Sequence, residues 1–482
     1  MNCYKIFKKY RVGALITVLP LLVFWAMGPA EVCGDDLDIT NSQNFDVPGN
    51  EAISLSPWYT IHGNKQRTKW VNGRGVLDPV ERFHYESNDE AILGVSVLSS
   101  ASTFPDEIPR FYRMASVDNG KINYVEVINT QTGKVEYVAG GFNFGFLLTT
   151  PTVLPNGDVI IADYGRIFMY TPDLKHCLWT RRLRDQEPGN DVPLVDLPMV
   201  GADILPDGRL LVATGGGMVY ILGRRFGNII SKFNLRTLEP PIKLDPQQQC
   251  YLRNLPAFDR NLVFFVVYEE VLLFEYVPRE RKLVFLDRYH YNDNQLSSTS
   301  PCVDRIGKRV FFCSFPYDNP ELPSYQYAVN YENEKLSLRW SYSGIEVQPG
   351  VPERADQVAN TYNRTNGFVI FNNWGGIATA FREVSDRNNV YPEIAWRTPH
   401  DDNYATAVAG KDNIVYSGDM ENMLLYALDG DTGEPIWTMP VPGEHLIAKI
   451  MVVDDGVVYY DYSYGLYAIE QSGANAPAFL ER

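Results

Sequence analysis

Leu425-Tyr-Ala-Leu-Asp-Gly-Asp-Thr-Gly-Glu-Pro-Ile-Trp437 contains one strand ending, one polar turn and one strand beginning within thirteen residues. The apolar run to Leu428 stops at Asp429, Gly433 supplies the positive φ that a tight turn needs, and the chain restarts at Ile436-Trp437. The same grammar recurs outward in both directions. Gln131-Thr132-Gly133-Lys134 precedes Tyr137. Upstream strands are joined by Leu-Pro-Asn-Gly at 154–157 and Leu-Pro-Asp-Gly at 205–208, each followed by a Val/Ile/Leu-rich strand and a glycine-containing turn. Aromatic residues mark the last strand of each unit: Tyr137, Trp179, Phe233, Phe285, Trp340, Trp396 and Trp437 lie 42, 54, 52, 55, 56 and 41 residues apart. That period is the one expected of four-stranded propeller blades.

The ends settle the predicted count. After Trp437 three more strand-like runs follow and no fourth, while Asn64 to Trp70 reads as a fourth strand with nothing before it. Joining the two fragments closes a ring and removes two sheet edges. The sequence therefore predicts an all-β, eight-bladed β-propeller of four-stranded antiparallel blades, its last blade closed by an N-terminal strand. Seven blades is the alternative if the units around Phe233 and Phe285 are misread.

The chain has 482 residues, 45% hydrophobic, with 43 Lys and Arg against 59 Asp and Glu, a net charge of -16. That balance disfavours nucleic acid and anionic lipid as partners. Lys5, Lys8, Lys9 and Arg11 precede an apolar run from Val12 to Met27, and Gly28-Pro29-Ala30 ends it. This is the layout of a secretory signal peptide over 1–30, with an uncleaved membrane anchor as the competing reading. The expected organisation is then an N-terminal extension over 31–57, one propeller domain over 58–470 and a tail over 471–482, in the periplasm or outside the cell. Cys33 follows Ala30-Glu31-Val32, a poor context for lipidation. Cys302 and Cys313 flank a turn and are the one candidate disulfide; Cys-x-x-Cys is absent.

The unit ending at Trp437 resembles the repeat of the quinoprotein-type propeller superfamily, in which an apolar strand ends in Ala-x-Asp, turns at Thr-Gly and places a tryptophan against the next blade. Val127 to Tyr137 is a looser match. The resemblance implies blade-docking roles for Trp70, Tyr137, Trp179, Trp340, Trp396 and Trp437. It also implies two functional outcomes: dehydrogenases that hold pyrroloquinoline quinone with calcium over the ring axis, or cofactor-free platforms such as periplasmic lipoproteins that assist outer-membrane protein assembly. Adjacent cysteines, frequent beneath the quinone in the enzymes, are missing here.

In a propeller, the loop between second and third strands and the connection to the next blade share one face. This collects Asp163, Tyr164, Glu269, Glu270, Trp374, Asp419, Glu421, Asp461 and Tyr462, with His290, His400, Asp401, Asp402, Glu444 and His445 from the connections. Carboxylates beside His400 and His445 are the chemistry of a divalent metal site, and Asp401-Asp402 of a calcium site, although solvated loop residues would read the same way. Aromatic and acidic side chains interleaved on one rim suit a protein, peptide or carbohydrate ligand. Asn363-Arg364-Thr365 is a glycosylation sequon, and hydrolase, zinc-protease, Walker and dinucleotide motifs are absent. The expectation is an exported acidic binding or assembly platform acting through this face. The alternatives are a quinone- or metal-dependent oxidoreductase on the same face and, third, a hydrolase or lyase using His400 or His445 as base.

Overall fold

The computed structural model describes residues 58–473 apart from 61–62, 88–95, 118–121, 143–149, 164, 184–198, 245–251, 253–254, 294, 298, 317–322, 344–345, 349–350, 353–359, 373–377, 388, 399–405, 420–421, 423, 442–447 and 463. All of these lie in the compact unit spanning 41–482. The signal segment, the extension over 31–57, Cys33 and the end of the tail fall outside the described residues.

Eight sheets, each built on four antiparallel strands, succeed one another along the chain as the blades of a ring. They span 97–142, 152–182, 199–234, 257–290, 295–343, 361–398, 407–440 and 448–471, so the units around Phe233 and Phe285 are each a full blade. Among the described residues the only helical pieces are the 3-10 turns Ala101–Thr103 and Leu235–Thr237. Second strands such as Val159–Asp163 and Leu210–Thr214 are buried at every position, because neighbouring blades cover both faces. Outer strands such as Pro435–Pro440 alternate between half-buried and exposed.

An N-terminal strand closes the last blade, but it is Pro79–Glu86, antiparallel to Gly465–Gln471, and not the stretch ending at Trp70. Trp70–Val71 instead adds a short parallel strand to the inner edge of blade 7, opposite Val408 and Ala409. There the Trp70 indole donates to Thr365 Oγ1 at 3.1 Å and covers Gly410. Polar-aromatic patterning identifies a strand without saying which sheet edge it joins.

Each outer strand carries a one-residue bulge, and the residue after it meets the next blade. In chain order these residues are Phe83, Tyr137, Trp179, Ser231, Asp287, Trp340, Trp396 and Trp437. The indole nitrogens of Trp179, Trp396 and Trp437 donate to the carbonyls of Arg224, Gly430 and Val76 at 2.9, 3.0 and 2.6 Å. Phe233 and Phe285 are therefore not in this register. Ser231 Oγ fills the role in blade 3 by donating to Arg281 O at 2.7 Å, and Asp287 in blade 4 by accepting from Leu336 N at 2.7 Å. The two phenylalanines pack on Phe274 instead.

Cys302 and Cys313 are buried thiols, not a disulfide. The register places Phe311 opposite Cys302, while Cys313 faces Gln326 on the other side. The sequon asparagine is also enclosed: Asn363 is fully buried, donates to Asn413 Oδ1 at 2.7 Å and accepts from Thr365 N at 3.0 Å, so it builds a turn and offers no glycan acceptor.

Gly433 has φ +71, and a Cβ there would sit 2.8 Å from Trp396 Cδ2. Gly433→Ala is expected to cost about 1–3 kcal/mol in denaturant unfolding, whereas Gly140→Ala, with nothing within 4 Å, stays near neutral. Between blades 5 and 6, Glu383 accepts from Arg309, Arg339 and the Trp340 indole at 2.6 to 2.8 Å. Burial pushes its carboxyl up, yet Arg339, Arg309 and Trp340 outweigh burial and hold it below the usual glutamate range. A depressed carboxylate stabilises the fold above its unfolded value of about 4.3 and loses that contribution as pH falls through the folded value. Glu383→Gln should cost roughly 1–3 kcal/mol at neutral pH, and its gap to wild type should close as unfolding is repeated from about pH 5 down to about pH 3.

Candidate functional site

Inner strands of a propeller present a row of N–H groups to the axis. Here the main chain of residues 58–60 and 63–74 runs round the inside of the ring and answers them. The carbonyls of Trp58, Tyr59, Lys65, Gln66, Thr68, Lys69 and Arg74 accept from Leu98, Val153, Phe258, Val303, Tyr362, Val408 and Gly456 at 2.8 to 3.0 Å. The first six donors belong to the inner strands of blades 1, 2, 4, 5, 6 and 7 in order, and Gly456 to the turn that follows the inner strand of blade 8. Blade 3 is held by a side chain: Arg67, fully buried, pairs with the equally buried Asp203 and donates from Nε to Pro256 O at 3.0 Å and from Nη1 to Thr60 Oγ1 at 3.1 Å. Burial, ahead of the Asp203 charge, drives the Tyr59 hydroxyl well above the usual phenol range, and burial lowers the ammonium of Lys65. The axis is thus occupied by an internal strap.

Asp163 and Asp461 sit at the ends of second strands and, like Glu269 and Glu270, are buried. Asp163 pairs with Arg166. Asp461 accepts from Arg113 Nε at 3.0 Å and from Ser96 Oγ, while Arg113 also donates to Glu126 Oε2 at 2.8 Å. Tyr85 donates to Glu126 Oε1 at 2.6 Å; burial and then Glu126 push its hydroxyl up to about 12. Tyr462 is buried and meets His84 Nε2 at 2.5 Å. Burying a carboxylate is tolerable only when it is paired, which explains the partners. Asp419 ends the second strand of blade 7. Tyr164, Trp374, His400, Asp401, Asp402, Glu421, Glu444 and His445 lie outside the described residues.

One corner of the face is both charged and exposed. Glu269, buried at the tight turn of blade 4, accepts from Lys243 Nζ at 2.8 Å, and Lys243 lies 3.9 Å from Asp293. His290 Nε2 is 3.1 Å from Asp293 Oδ1. Glu269, His290 and Asp293 offer ligand atoms within 4.8 Å of one another, but the Lys243 ammonium already serves as their cation. Beside them Glu270 faces Arg288 at 3.3 Å; burial raises its carboxyl despite that arginine.

A tricarboxylic quinone on the axis needs space there and cations not already committed. The described residues do not fit it: the strap fills the axis, and Arg67, Arg113, Arg166, Lys243 and Arg288 each face a carboxylate.

Sequence reading passed over Arg67, Asp203, Arg113, Glu126 and Lys243. Arg113 and Glu126 carried a signal, since each interrupts an apolar strand at an inward position; Arg67 carried none. Arg67→Met should cost about 3–5 kcal/mol by stranding Asp203, and adding Asp203→Leu should recover most of that in thermal or denaturant unfolding.

The sequence-family model described as outer membrane protein assembly factor BamB matches residues 390–476. No curated protein sequence matches the chain. Among solved structures, BamB from Moraxella catarrhalis superposes with TM-score 0.52 at 12% identity, covering 82% of this chain and 100% of that one. Quinohemoprotein alcohol dehydrogenase from Comamonas testosteroni gives 0.59 at 11% identity over 86% and 81% of the two chains. A europium-containing methanol dehydrogenase gives 0.56 at 10% identity over 86% and 98%. The chain has the eight-bladed fold of the quinoprotein-type propellers and, over 390–476, the PQQ-like repeat itself.

Proposed function

We propose that this chain is an exported binding or assembly platform that engages a protein through the loop face of its ring. The observation that carries the reading is the strap over 58–74, which occupies the axis where a cofactor-dependent relative would do chemistry. The exposed corner formed by Lys243, His290 and Asp293 supplies groups of both signs at the rim of that face, which suits a polypeptide carrying mixed charge. The resemblance to BamB, an assembly factor by name, agrees with a protein partner. Export rests on the basic start and apolar run within residues 1–30.

The oxidoreductase reading makes the opposite demand on the axis, so one reconstitution separates the two. Purified protein mixed with pyrroloquinoline quinone and calcium is expected to return the quinone on gel filtration and to show no dye-linked alcohol oxidation. A retained quinone spectrum with turnover would sink the platform reading. In cells, a photo-crosslinking residue at His290 should trap a protein partner, while one at Ile306, 94% exposed on a turn of the opposite face, should not.

A further inference from the structure

The chain is acidic overall, yet residues 174–183 and 223–234 contain Lys175, Arg181, Arg182, Arg224, Arg225 and Lys232 and no Asp or Glu. The fold brings the two stretches together. The first holds the outer strand of blade 2, Cys177–Arg182, and the second the last turn and outer strand of blade 3, Ile229–Asn234. Trp179 Nε1 donates to Arg224 O at 2.9 Å and Arg181 Nε to Gly227 O at 2.9 Å, so the cationic turn lies directly against the cationic strand. Asp173, paired with Lys175 at 3.6 Å, lies at one margin.

This edge is also unusually apolar for a surface. Leu178, Phe226 and Ile229 are 48%, 55% and 43% exposed. Leu178 is the residue that the bulge pushes out of its strand, and the Arg225 guanidinium lies 5.0 Å from the Phe226 ring centroid. Cationic heads beside projecting aromatic and aliphatic groups match an anionic surface with an oily interior.

We propose that the outer edge of blades 2 and 3 seats on an anionic lipid bilayer, with Phe226, Leu178 and Ile229 entering the headgroup region and the arginines and lysines meeting lipid phosphates. The net charge of -16 does not oppose this at close range, because charges beyond about 8 Å are screened at physiological salt. Each Lys or Arg at such a surface strengthens binding roughly fivefold. Arg224 to Phe226 lie in the turn between the third and fourth strands of blade 3, at the end of the blade away from the loop face, and Arg182 lies at the other end of its strand, opposite Arg166.

The test is co-sedimentation of the full chain with phosphatidylcholine vesicles, and with vesicles carrying about 30% phosphatidylglycerol, at low and high salt. Wild type is expected to sediment more with the anionic than with the neutral vesicles at low salt, and to lose that excess at high salt. R182E/R225E should bind at least about tenfold more weakly, R182K/R225K should retain binding, and F226S should weaken it with the salt dependence unchanged. Thermal melts confirm the fold, and every variant keeps the N-terminal apolar run, so differences among them report the edge alone. Equal binding to neutral and anionic vesicles, unchanged binding by R182E/R225E or F226S, or a preference for polyglutamate over vesicles would each overturn the proposal.

Discussion

The inner edges of the blades set the problem that the rest of this ring answers. Every innermost strand has one row of backbone groups with no sheet partner, and a buried unsatisfied N–H costs about 1–3 kcal/mol. Here the acceptors are main-chain carbonyls from 58–74, one after another round the ring. An extended strand cannot do this, because its carbonyls alternate in direction. Lys65, Gln66, Thr68 and Lys69 all aim theirs at the wall, and the positive φ of Arg67 and Lys69, +59° and +51°, is how the chain turns to allow it. Non-glycine residues hold such angles only where surrounding contacts fix them, and the buried Arg67–Asp203 pair is such a contact.

The outer edges are handled by repetition. A bulge at one register in every outer strand aims the following side chain at the next blade, where Trp179, Ser231, Asp287, Trp340 and Trp396 hydrogen-bond to it and Phe83 packs its ring on Gly133. Tryptophan makes that bond while filling space, as at Trp396 over Gly433. Ser231 and Asp287 make it without a ring, and Phe233, Phe274 and Phe285 supply the missing volume nearby. Blade 8 has no continuous turn to receive Trp437, so the segment leading into Pro79–Glu86 takes its place through Val76.

This division explains what the sequence discloses. Turn, bulge and docking residue are local, so the blade count and closure by an N-terminal strand could be read from spacing around Trp179, Trp340, Trp396 and Trp437. The strap is not local. Asn64 to Trp70 has no periodicity that separates an inner lining from an outer strand, and its partners lie up to hundreds of residues away. Misplacing Trp70 and overlooking Pro79–Glu86 follow from that. The loop-face carboxylates show a related limit: topology places Asp163, Glu269 and Asp461 on one face, but whether an acid faces solvent or a buried arginine depends on residues such as Arg113, contributed by another blade.

Lining the inner strands with main chain also takes up polar groups that an open ring could offer a ligand. A propeller whose axis is open can gather polar groups from all its blades around one ligand. Among the described residues, groups outside the strap's contacts include the mixed-charge corner of blade 4 on the loop face and the cationic, apolar edge of blades 2 and 3. Several acids, Asp163, Asp203 and Asp461 among them, are drawn inward at the blade interfaces beside an arginine, so net charge is a poor guide to either surface. The stretch from Arg224 to Phe226 differs from those interfaces in setting two cations beside a ring that is 55% exposed, with Asp158 as the acid facing Arg224.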